Sequence, residues 1–209
     1  MTKPIEKLDA IAEQLHPYFA AEDEAREKAL RLCRRIVRYS ANAIHAVHRR
    51  EMDTARELLT EARKLVQELN RDLSKHGGLL YSGFVHDAQK EYAEGCITLA
   101  LIAEEDLPEL ETLDVDYAAY LDGLGESVGE LRRYILDSLR RGEFSRCEDM
   151  LDIMDAIHAP LSARNKTKSL AHGLRRTTDA IRGIVERTRG DLTVALKQKE
   201  LEAKLANLS

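Results

Sequence analysis

The chain has 209 residues, of which 44% are hydrophobic and 33% charged, with 11 Gly, 4 Pro and no Trp. There is enough apolar side chain for a core, which excludes a disordered chain, and there are too few turn residues for a many-stranded sheet protein. The net charge of -5 hides a division, with acids gathered at 104–130 and 143–155 and arginines at 26–50 and 164–189, so it excludes neither an acidic nor a basic partner.

The expected fold is all-α, a single domain over 1–209 with about seven helices read from the apolar spacing. A short helix opens the chain, and Pro17 stands near the start of the next. From about residue 18 to 50, Leu30, Cys33, Val37, Ile44 and Val47 recur at helical spacing with no Pro or Gly after Pro17. A second long helix carries Leu58, Leu65 and Leu69 and is expected to stop at Gly77-Gly78. Phe84, Ala88, Tyr92, Cys96, Leu99 and Ile102 mark a third, ended by Pro108 and "ETLDVD". The segment 115–142 reads as a fourth, loosened by Gly123, Gly125 and Gly129 and stopped by Gly142. A shorter helix should end before Pro160, another should run from Ser169 to about Gly190, and 191–209 reads as a charged helical tail.

Cys33, Cys96 and Cys147 are odd in number and lack CxxC spacing, which fits reduced thiols in a cytoplasmic protein. "MTKPIEKLDAIAEQ" has no apolar leader core, and no stretch approaches the roughly 18 to 20 apolar residues of a membrane span, so no membrane partner is expected.

Arg31, Arg34, Arg35 and Arg38 share one helical face, and fork-shaped guanidiniums suit phosphate oxygens. The plain alternative is a solvated face paired with Glu22, Glu24 and Glu27. His45 and His48 are spaced to share a metal, but no Cys, Asp or Glu nearby completes a zinc set. Glu13 and His16 form a single Glu-x-x-His, where a di-iron bundle needs two. P-loop, GxGxxG, GxSxG and HExxH patterns do not occur. What remains is acidic. Asp87, Glu91 and Glu94 lie along one side of the third helix, and Glu148, Asp149, Asp152 and Asp155 lie on a later one. Carboxylates from two packed helices suit a hard cation such as Mg²⁺ at a phosphodiester; the alternative is that Lys90 pairs with Glu94 and the acids face water.

"EYAEG" at 91–95, "HRRE" at 48–51, "AYLDG" at 119–123 and "RGEFSR" at 141–146 occur in the order of corresponding segments of the translin family, which the chain resembles from about 25 to 190. It is more similar to the translin-associated factor X (TRAX-like) branch, whose EYVEA-type motif contributes two glutamates to a Mg²⁺-dependent endoribonuclease site. The resemblance implies that role for Glu91 and Glu94. It also implies a further catalytic aspartate followed four residues later by a glutamate. Without gaps, "GEFSRCED" offers Ser145 and Asp149, so Asp149 is the expected third catalytic and metal-binding acid, with Glu148 or Glu143 as alternatives. Mg²⁺ is the implied cofactor, with Mn²⁺ as substitute. The family further implies a closed, octamer-like homo-oligomeric shell around single-stranded RNA, or single-stranded DNA, with Arg34, Arg35, Arg38 and Arg49 binding the strand. Two rival expectations stand beside this one: a catalytically inactive binding shell, suggested by Ser145, and a helical scaffold that binds no nucleic acid.

Overall fold

Between Pro17 and Gly77 no residue is Pro or Gly, so the early chain lacks the two strongest helix breakers. In the computed structural model, which describes residues 3–164 and 171–207 and the side chains of 7–161 and 178–207, the described residues form eight helices and no strand. α1 (Lys3–His48) is 46 residues long. It buries Ala29, Leu32, Cys33, Ile36, Ala43, Ile44 and Val47 along one stripe. The two helices expected at the N-terminus are therefore one. Pro17 removes a single backbone donor on an exposed stretch, where solvent can satisfy the freed carbonyl.

α2 (Met52–Leu73) buries Leu59, Leu65, Val66 and Leu69 and ends at Leu73; Gly77 and Gly78 instead open the single-turn α3 (Gly77–Leu80). α4 (Gly83–Ala103) follows, and the single-turn α5 (Leu110–Leu113) occupies the break after Pro108. α6 (Tyr117–Arg140) starts at Asp116, whose side chain accepts a bond from the Ala118 N–H, and stops before Gly142, which has φ +75°. α7 (Cys147–Arg164) continues through Pro160, correcting the expected stop. Pro160 is exposed while Ile157 and Leu161 on either side are buried, so core contacts carry the helix past it.

α8 (Ala171–Ala206) also runs on past Gly190; its expected start at Ser169 lies outside the described residues. Thr188 and Leu192 are buried on either side of that glycine. Arg132 of α6 adds a bond to Thr188 Oγ1 at 3.0 Å and an ion pair to Asp191 at 2.8 Å.

α1 packs on α2 and α4, α4 packs on α6, and α6, α7 and α8 pack on one another. α6 thus joins the two groups, and Tyr92, Ile97, Leu131, Ile135, Met150 and Met154 are among the largest fully buried side chains. No helix among the described residues is long and apolar enough to cross a membrane. Cys33, Cys96 and Cys147 are free thiols.

Candidate functional site

The contact between α4 and α6 is closest at Gly123. A Cβ there would lie 2.8 Å from both the Glu94 N and the Lys90 O, and 3.0 Å from the Ala93 Cβ. Only a residue without a side chain lets the two backbones approach this closely. The consequence falls one turn later: Glu126 of α6 reaches Glu91 and Glu94 of α4, and one carboxylate oxygen from each lies within 4.8 Å of the others. Glu94 is 8% exposed, and among the described residues no group hydrogen-bonds its carboxyl. Burial pushes that carboxyl up to about 8, with the charges of Glu126, Glu91 and Glu130 adding to the rise and Lys90 opposing it.

Lys90 does not pair with Glu94. Its Nζ lies 2.8 Å from Glu126 Oε1 and 3.5 Å from Glu91 Oε1. Glu130, a turn beyond Glu126, accepts a 2.5 Å bond from His48 Nε2 and lies 3.8 Å from Arg133. The His48 bond holds the Glu130 carboxyl below the usual carboxylate range, with help from the charges of His48, Arg133 and His45. Asp87, on the same side of α4, is exposed and outside the group.

Arg31, Arg34, Arg35 and Arg38 are exposed on α1, and none forms an ion pair with a described residue. Of the acids expected to neutralise them, Glu22 bonds His76 at 2.5 Å, Glu27 pairs with Arg26 at 3.6 Å, and Glu24 is exposed with no ion pair among the described residues. Arg49 differs, because Glu51 takes two of its N–H groups at 3.0 and 2.8 Å. At 3.6 residues per turn, Arg31, Arg35, Arg38, Asn42 and His45 follow one side of α1 over about 21 Å. His45, at the end of that side, stands one turn before His48, whose Nε2 is bonded to Glu130.

No family model matches the chain. The Methanocaldococcus jannaschii protein MJ0175 is 27% identical over 190 residues, covering 90% of this chain and 84% of that one. Two structures of AfC3PO, one of them a complex with duplex RNA, are each 30% identical to it. They cover 92% and 97% of this chain and 97% and 100% of their own, with TM-scores of 0.79 and 0.77. The chain belongs to the C3PO/translin family. Apo-NeC3PO, at 20% identity and a TM-score of 0.80 over 88% of this chain and 96% of its own, shares the fold.

Within this C3PO/translin-family chain, the expected acids divide. Glu91 and Glu94 lie together, but Asp149 is exposed in the first turn of α7 and is not among the grouped carboxylates. Glu148 is exposed beside it, and Glu143 is taken by Arg50 and Arg141 in the turn before α7. The ungapped alignment through Ser145 and Asp149 thus points to positions outside this carboxylate group. The acid that joins Glu91 and Glu94 is Glu126, with Glu130 one turn further along α6. Their signal was in the sequence: two glutamates at i,i+4, interleaved with Gly123, Gly125 and Gly129, small residues that permit close helix approach.

The donor set suits a hard divalent cation. Three carboxylate oxygens converge, one of them on a buried side chain with no hydrogen-bond partner among the described residues, and an oxygen-only set favours Mg²⁺ or Mn²⁺ over softer metals.

Proposed function

We propose that this chain is a Mg²⁺-dependent endoribonuclease of the factor X (TRAX-like) branch, acting on RNA inside a closed homo-oligomeric shell. The observation that carries the reading is the buried Glu94 carboxyl facing Glu91 and Glu126 across two helices. Glu91, Glu94 and Glu126 hold the ion, with Glu130 beside them. A divalent cation supplies Lewis-acid polarisation of a phosphodiester oxygen and lowers the pKa of a bound water; Mn²⁺ substitutes for Mg²⁺. The protein positions the phosphate: Arg31, Arg34, Arg35 and Arg38 bind the backbone without reading bases, along a face that leads to the acidic group. Arg49 contributes less, because Glu51 already engages its guanidinium.

RNA as ligand is supported by the AfC3PO complex, which contains duplex RNA. The single-stranded RNA or DNA expected from the sequence is the narrower claim. Self-association is supported by exposed apolar side chains on two helix arms, Leu8, Ile11, Leu15, Tyr18 and Phe19 on α1 and Val194, Leu201 and Leu205 on α8. The free thiols suit the cytoplasm.

The test is incubation of labelled single-stranded and duplex RNA with the purified protein, in Mg²⁺ or in EDTA. Cutting in Mg²⁺ alone is expected, lost in Glu91→Gln/Glu94→Gln and in Glu126→Gln with RNA still bound, and kept in Asp149→Asn. RNA bound but uncut in every condition would leave the second reading, an inactive binding shell. Lys90 favours that rival, since its ammonium already neutralises two of the carboxylates. Absence of RNA binding at low salt would leave only a scaffold.

A further inference from the structure

The lysine that favours the rival reading can also serve the reaction. Lys90 lies on α4 immediately before Glu91, and its side chain is only 18% exposed. Its Nζ lies on the same carboxylates, Glu126 and Glu91, that a divalent cation needs. A monovalent ammonium and a divalent ion compete for such oxygens, and the divalent ion has the stronger Coulomb attraction at equal distance.

We propose that Lys90 is a tethered cation that yields Glu91 and Glu126 to the divalent ion and then binds the substrate's scissile phosphate. Resting on the nuclease reading, this gives the lysine two successive anions. Once its carboxylates are engaged, Lys90 is free to reach a non-bridging phosphate oxygen, with Asp87, one turn earlier on α4, as the competing anion. The four-carbon stem of lysine lets a compact charge shift between them, as a planar guanidinium held by two bonds does less easily. Lys90 keeps its proton throughout and donates a hydrogen bond to the phosphate oxygen as negative charge builds there. Of the other basic side chains near the acidic group, His48 is bonded to Glu130, Arg133 is paired with it, and His45 is exposed on α1.

The test compares wild type with Lys90→Met, which keeps the stem and removes the charge, and with Lys90→Arg. Mn²⁺ affinity is measured by electron paramagnetic resonance of free Mn²⁺, RNA affinity in Ca²⁺, and cleavage under single-turnover conditions with Mg²⁺ saturating for each variant. Lys90→Met should bind Mn²⁺ severalfold more tightly, bind RNA within twofold of wild type, and cut about 10²-fold more slowly, the usual loss for one transition-state donor. Lys90→Arg should recover part of the rate. A lysine that merely bridges α4 to α6 would lower the melting temperature in Lys90→Met and leave Mn²⁺ affinity unchanged or weaker, which overturns the proposal. Should Lys90→Met fail to fold, Lys90→Gln carries the same comparison. Wild type that cuts RNA while Lys90→Met cuts as fast sinks this proposal alone; wild type that cuts no RNA sinks the nuclease reading with it.

Discussion

Glu94 carries an ionisable group at a depth where ionisation is costly, and this has a measurable effect on stability. Its carboxyl is raised from 4.5 to about 8, chiefly by burial. Between those values the folded chain retains a proton that the unfolded chain has released, so stability falls as pH rises through that window. Glu94→Gln should remove the fall. Its melting temperature should match wild type near pH 4.5 and exceed it by several degrees at pH 8.5 without added metal, as read by calorimetry at both pH values. Saturating Mg²⁺ should narrow the gap at pH 8.5 by stabilising the wild-type carboxylate, whereas equal pH dependence in the two proteins would mean that Glu94 ionises freely. From sequence, the glutamates of "EYAEG" stood out as like charges on one helix side. Their different surroundings did not, because Glu91 and Glu94 differ in what packs over them.

Among the elements, α6 does most to shape the site, and two of its glycines have opposite surroundings. Gly123 lies against α4 backbone, so the Cβ of Gly123→Ala would need α4 and α6 to move apart. A loss of about 1–3 kcal/mol is expected, as for overpacking, together with weaker Mn²⁺ binding as Glu126 withdraws from Glu91 and Glu94. At Gly129 an added methyl would meet no atom within 4 Å, so Gly129→Ala should gain about 0.5–1 kcal/mol, since alanine is the better helix former. Urea unfolding of the pair checks both signs; equal effects would mean that the Gly123 contact relaxes at no cost. The glycines were legible as marks of close packing or a kink, and the contact with α4 selects packing. The prolines misled for a related reason: Pro17 and Pro160 are exposed, so their helices continue through them.

Across the whole molecule, cationic and anionic surfaces meet. The arginine row of α1 forms no ion pair with a described carboxylate and leads to His45, one turn before the His48 bonded to Glu130, so a bound strand would extend along α1. Each phosphate contact releases counterions. The triple variant Arg31→Ala/Arg35→Ala/Arg38→Ala should therefore weaken RNA binding and reduce the slope of log affinity against log salt by about 2 for a single strand. An unchanged slope, measured by fluorescence anisotropy from low to moderate salt, would show that the row does not contact phosphate. The same variant should keep its melting temperature within a degree or two, because these side chains are exposed and form no ion pair with a described residue, Arg38 lying only over the Tyr39 ring at 6.0 Å.

The sequence by itself determined the helical class, the limits of α6 and the arginine face, because each is a matter of spacing along one helix, and it singled out Glu91 and Glu94 on the same ground. Tertiary structure decided the rest. It brought Glu126 to Glu91 and Glu94, left Asp149 outside that group, gave Lys90 to Glu126 and Glu91, and tied His48 to Glu130. The physical reason is that periodicity fixes the face on which a residue lies, but not which face of another helix it meets. At this site that choice depends on Gly123, whose missing side chain lets α6 approach α4 closely enough for carboxylates far apart in the chain to share one space.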